Sequence, residues 1–181
     1  QGRLIRGATL NRYYGIGLCK ELQPGSGAIA ANVLRAAPLE VRETLTFDDI
    51  RVEVTSLVGG SNFRLGIWRD NGSCYPAELL VDSGQLSGAA VAVVNAAINQ
   101  ELTPGLYWLG ILGDAAITFR TPGTAGTPGE IMGEIAGMTG TVRQAFYTVS
   151  QTYGALPNPF PAGATVNLSS AQMPKILLHA A

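Results

Sequence analysis

Between Phe63 and Leu112 the chain writes strand signals with very little room for anything else. Phe63, Leu65 and Ile67 alternate with Arg64, Gly66 and Trp68, the period of a strand that shows two different faces. Asp70-Asn-Gly-Ser turns the chain, and Leu79-Leu-Val-Asp resumes as a short strand. A Thr-Pro-Gly turn then feeds Leu106–Leu112, an almost unbroken apolar run suited to a strand buried on both faces. Turn residues punctuate at short intervals, which favours a sandwich over a helical fold.

The flanking segments extend the pattern. Ile50, Val52 and Val54 fall on one face and Arg51 and Glu53 on the other, with a phase slip at Asp48-Asp49 that a bulge would explain. Val33–Val41 is a candidate first strand, and Pro38 suggests an edge position or a bulge there. Val91–Ile98 is alanine-rich, but its β-branched residues favour a strand. Ala116–Arg120 is expected to pair with 106–112 across Gly113-Asp114. Residues 145–150 read as another strand, 157–161 as an extended connection, and 174–180 as the closing strand. Residues 121–129 form a loop of repeated turn signals, and 130–138 has apolar positions near helical spacing, weakened by glycines. The expectation is an all-β, jelly-roll-like antiparallel sandwich of eight or nine strands over residues 31–181, with an extended N-terminal arm over 1–30.

That arm holds Arg3, Arg6, Arg12 and Lys20 without an acidic residue, interleaved with Leu4, Ile5, Tyr13 and Tyr14. It carries too many apolar groups for a free tail. Two readings remain, docking on a neighbouring subunit through Arg3, Arg6, Arg12, Tyr13 and Tyr14, or folding across its own domain.

Composition narrows the function. The 181 residues and 46% hydrophobic content suit one well-packed domain. Only 14% of residues are charged, well below an ordinary soluble domain, and the mean hydropathy is +0.20. Buried subunit surface would explain this, as would an abundance of small residues in a β protein. A net charge of −1 supplies no field for nucleic acid or anionic lipid. No apolar run reaches the length of a membrane span, so no membrane insertion is expected. The chain opens on Gln1, so either a leader was removed or the sequence starts inside a longer product. Cys19 and Cys74 could pair or remain two thiols.

A search for chemistry returns little. The single histidine, His179, sits two residues from the end. No nucleophile elbow, metal-binding helix or phosphate loop is present. Asp48 and Asp49, on a regular strand, would point to opposite faces. Asp70, Glu78 and Asp82 flank one loop and could gather around calcium or serve as a glycosidase pair, but turn-capping explains them more simply. No cofactor and no catalytic residue is expected. Trp68 and Tyr75, with Asp70 and Glu78 beside them, are candidates for stacking on a host glycan or anchoring a partner. The alternative puts Trp68 on a second packed face, and Trp108 reads as core.

The order Leu-Thr-Phe-Asp-Asp-Ile-Arg-Val-Glu-Val (45–54), Phe-Arg-Leu-Gly-Ile-Trp (63–68), Tyr-Pro (75–76) and Leu-Thr-Pro-Gly-Leu-Tyr-Trp-Leu (102–109) resembles β-sandwich modules of tailed-bacteriophage virion proteins. Such modules occur in tail fibres, baseplates and capsid decoration. The resemblance covers residues 30–120 and the closing strand. It implies a non-enzymatic virion structural protein, assembled in the host cytoplasm as a homo-oligomer, a trimer by preference, in contact with other virion proteins. A carbohydrate-binding module recognising a host glycan is the alternative.

Overall fold

The computed structural model describes residues 11–15, 25–122, 146–167 and 173–181. Thirteen strands are present among these residues: β1 (Tyr13–Gly15), β2 (Gly25–Ala28), β3 (Val33–Val41), β4 (Leu45–Ser56), β5 (Asn62–Asp70), β6 (Pro76–Asp82), β7 (Leu86–Ser87), β8 (Val93–Leu102), β9 (Gly105–Gly113), β10 (Thr118–Thr121), β11 (Phe146–Ser150), β12 (Thr165–Asn167) and β13 (Leu177–Ala180). They form two antiparallel sheets packed as an all-β sandwich. In the first, the long strand β4 is the spine. β8 lies along one of its edges, and β13 and then β10 share the other, followed outward by β1 and β2. The second runs β12-β11-β3-β9-β5, with β6 and β7 sharing the far edge of β5.

The alternation read from the sequence decides what lies between the sheets. Ile50, Val52 and Val54 of β4 meet Phe63, Leu65 and Ile67 of β5 and Leu109 and Ile111 of β9 in one buried cluster. β9 is covered on both faces, as expected of Leu106–Leu112. Tyr107, Leu109 and Ile111 point to the intersheet core, while Trp108 and Leu112 join a second cluster with Leu34, Ala36, Trp68, Leu156 and Phe160. The second cluster lies on the outer face of the seven-stranded sheet, where the segment 151–164 crosses it. Backbone and side-chain bonds tie this strap down. The Trp68 indole N–H donates to Pro157 O at 3.1 Å, the Tyr75 hydroxyl donates to Pro161 O at 2.6 Å, and Leu156 N donates to Asp82 Oδ2 at 3.0 Å.

Pro38 falls inside β3, between two neighbours, yet its missing N–H costs nothing. β11 pairs with β3 only over Val33–Ala36, so at Pro38 that side of the strand has already become an edge. One expected pairing is wrong. Residues 116–120 do not return along β9; β10 pairs with β2 and β4 in the other sheet. Asp114 explains the departure, because its carboxylate accepts from Asn62 N at 2.8 Å and Asn62 Nδ2 at 3.1 Å, fastening the end of β9 to β5. The chain then leaves that sheet, with Ile117 buried between the layers.

The described parts of residues 1–30 contribute two strands, β1 and β2, to the six-stranded sheet. β1 pairs with β13, β2 pairs with β10, and Tyr14 packs edge-on to Phe47. Arg3, Arg6, Cys19, Lys20 and the segment 130–138 lie outside the described residues, and so does the question of a Cys19–Cys74 bridge. No helix among the described residues is long and apolar enough to cross a membrane.

Candidate functional site

The two outer faces of the sandwich differ. One is roofed by the 151–164 strap. The other, on the six-stranded sheet, carries a groove of about 550 Å³ lined by Tyr13, Arg51, Glu53, Val93, Arg120, Lys175 and Leu177.

Its construction follows from register. Arg51 and Glu53 alternate outward on β4 because Ile50, Val52 and Val54 point in. Opposite them on β8 stand Asn95 and Val93, and Leu177 of β13 faces Arg51 from the other side. Against β13, a bulge gives β4 an extra residue between Phe47 and Asp49. The bulge overturns the expectation that Asp48 and Asp49 point apart, since both now bond on the outer face. Asp48 Oδ1 lies 2.7 Å from His179 Nδ1, while Asp49 accepts from Arg51 Nε at 2.6 Å and Asn95 Nδ2 at 2.6 Å. Tyr13 covers this pair of interactions. Its ring centroid is 4.8 Å from that of His179 and 4.4 Å from the Arg51 guanidinium carbon.

At the other end, Arg120 makes a two-pronged bond to Glu53, Nε to Oε2 at 3.0 Å and Nη2 to Oε1 at 2.7 Å. Hydrogen bonding to Arg120 holds the Glu53 carboxyl below the usual range against the opposing effect of burial, with further help from the charges of Arg120 and Lys175. The bond from Asp49 pushes Arg51 in the complementary direction, upward. Every carboxylate here is paired with an arginine or with the histidine. Among the described residues no group of three His, Cys, Asp or Glu side chains is placed to hold a metal ion.

The residues singled out from sequence as glycan or partner contacts lie elsewhere, on the roofed face. Trp68 is 0% exposed, packed edge-on to Phe160 with its ring centroid 5.4 Å away, so its ring is a core element and not a stacking platform. Tyr75 is half-buried under the strap, its hydroxyl donating to Pro161 and accepting from Ala164 N. Asp70 is occupied within the fold, accepting from the Trp108 indole at 2.9 Å and from Gly72 N at 2.7 Å. Asp82 forks onto Arg64, and only Glu78, in a 3.5 Å ion pair with Arg69, stands well exposed. Asp70, Glu78 and Asp82 thus serve three different partners and do not converge on a shared ion. Of the arm candidates, Tyr13 enters the groove, Tyr14 packs inward, and Arg12 is exposed.

Sequence reading missed the groove itself. The one available signal was the outward pairing of Arg51 with Glu53; nothing in the spacing joins them to Tyr13, Arg120 or Lys175. No protein-family model, no curated protein and no solved structure matches the chain.

Proposed function

We propose that this chain is a non-enzymatic assembly module, a β-sandwich that forms a homo-oligomer through the edge of β8. A structural role in a phage virion, as capsid decoration or as a tail or fibre component, is the setting that the resemblance of residues 45–54, 63–68 and 102–109 supports.

The edge of β8 carries the proposal. From Ser83 to Gln100 there is no charged residue. Within and beside this stretch, Val91 is 61% and Val93 57% exposed. Among the described residues β8 pairs with β4 alone. The neighbouring edge strand of the other sheet is treated differently. On β6 the Ala77 carbonyl accepts from Phe160 N and the Leu79 amide donates to Asn158 Oδ1, so the strap occupies its backbone groups. A long, uncharged edge with apolar side chains is the form that pairs with another strand, because none of the usual protecting charges interrupts it.

Light scattering coupled to size-exclusion chromatography tests this. The chain should elute as an oligomer, and Val91→Lys with Asn99→Lys should reduce it to a monomer of unchanged fold. The resemblance implies three chains, whereas an antiparallel β8–β8 contact would give a two-fold dimer. A monomeric wild type at every concentration, or a double variant of undiminished mass, would overturn the proposal.

A further inference from the structure

We propose that the groove on the six-stranded sheet is a binding site for a neutral, polyhydroxylated ligand, an oligosaccharide, with Tyr13 as its stacking wall and Arg51, Glu53 and Arg120 as its hydroxyl-recognising floor.

The charges of the groove decide the ligand class. Of the lining cations, Arg51 is already bonded to Asp49 beside the groove and Arg120 to Glu53 within it, while Asp48 is taken by His179. An anionic ligand would have to compete with Asp49 for Arg51 and with Glu53 for the two-pronged grip of Arg120. A metal ion would have to strip the same carboxylates from their partners. Either exchange breaks charge-assisted bonds already made at 2.6–3.0 Å. A neutral hydroxyl needs no exchange. Carboxylate oxygens have room for a second donor beyond the one each accepts, and the Arg51 fork presents N–H groups beyond the Nε that Asp49 takes. Hydroxyls donate to the first and accept from the second. Side chains clamped in Arg–carboxylate pairs also lose little freedom on binding, which favours recognition of a weakly held ligand.

Shape agrees. Tyr13 stands on β1 and Val93 on β8, with β13 and β4 between them. Three interstrand spacings separate the walls, on the order of 14 Å. That reach suits an oligosaccharide better than a single ring. Tyr13 is 46% exposed, an amphipathic ring able to cover the C–H face of a sugar. Val93 and Leu177 supply the remaining apolar contact. The site is built to bind without cleaving. Glu53 is kept anionic by Arg120 and so is no general acid at neutral pH. Asp49 and Glu53 stand four residues apart on one strand, about 13 Å, too far for the carboxylate pair that glycoside hydrolysis requires.

The experiment is a glycan array probed with the full chain, followed by titration of the strongest neutral hit into ¹⁵N-labelled protein. Binding to neutral oligosaccharides is expected, with amide shifts confined to residues 13, 51–53, 93–95, 120 and 175–177. Tyr13→Ala and Arg120→Ala should each weaken it about tenfold, and Trp68→Phe should leave it unchanged. No neutral hit, hits restricted to sialylated or sulfated glycans, shifts centred on residues 70–78, or full affinity in Tyr13→Ala would each overturn the proposal. The shift map needs no variant, so a substitution that unfolds the protein does not affect it. Val91→Lys with Asn99→Lys lies outside the groove and should retain glycan binding, so assembly and recognition fail separately.

Discussion

The indole of Trp68 lies against Gly110, at the position where a Cβ on that glycine would stand 2.6 Å from Trp68 Cζ3. Gly110 pairs across the ladder with Gly66, where a Cβ would likewise meet the Trp68 ring at 2.6 Å. Two glycines facing each other thus make the flat bed on which the Trp68 indole rests. The strap completes the enclosure through Phe160 and the Pro157 carbonyl.

Gly110→Ala should therefore be costly. The new methyl group would meet both the indole and the Arg35 carbonyl oxygen at 2.7 Å, and backbone cannot step aside as a side-chain tip can. Overpacking of this kind costs about 1–3 kcal/mol. Gly154→Ala is the control, since nothing lies within 4 Å of its Cβ position, and should change stability by less than about 0.5 kcal/mol. Urea denaturation of both variants checks the contrast.

Asp70→Ala should destabilise the protein although Asp70 is only the last residue of β5. It removes the acceptor of the buried Trp108 indole N–H and the cap on Gly72 N. An orphaned buried donor costs about 1–3 kcal/mol. Asp70→Asn keeps a carbonyl oxygen for Trp108 and should recover most of the loss. Equal stability of Asp70→Ala and wild type in thermal melts would refute the capping role.

The core of the sandwich was legible because a period of two is a direct record of two faces. Ile50, Val52 and Val54 lie where their alternation put them, and the continuous run to Leu112 announced a strand covered twice. What alternation cannot state is whether the second face is roofed. It placed Trp68 opposite Phe63, but the cover comes from Leu156 and Phe160, far along the chain, in a segment that read only as a connection. The same limit hid the crossing of β10, because Gly113-Asp114 has hairpin chemistry while the fastening of Asp114 to Asn62 is a tertiary contact. The groove is the extreme case. His179 and Asp48 meet across 131 positions, and Tyr13, Arg51 and Arg120 come from three different strands.

The Glu53–Arg120 pair gives stability a defined pH dependence. The folded-state pKa of Glu53 lies below its ordinary 4.5, so the pair's contribution is fully present above that value and fades as pH falls through the depressed one. Both side chains are more than a third exposed, at 39% and 35%, so screening limits the effect to about 0.5–1 kcal/mol. Glu53→Gln should show that deficit at pH 7 and a progressively smaller one as the pH is lowered below 4.5, by urea denaturation at each pH. A deficit that persists in acid would mean the side chain acts through packing rather than charge.

Cys74 provides a chemical probe of the roofed face. Burial pushes its thiol above the ordinary 9.0, and the charge of Asp70 adds to the shift. The thiolate is the reactive form, so at pH 8 alkylation should run slower than for an unperturbed thiol. With two cysteines in the chain, Cys19→Ser leaves Cys74 as the sole target. Adding Asp70→Asn removes the neighbouring charge but not the burial, so the pH–rate profile should move part of the way back toward lower pH. A profile that does not respond to Asp70→Asn would show that burial alone sets the reactivity. One that starts at or below the ordinary thiol range would show that the strap does not shield Cys74 in solution.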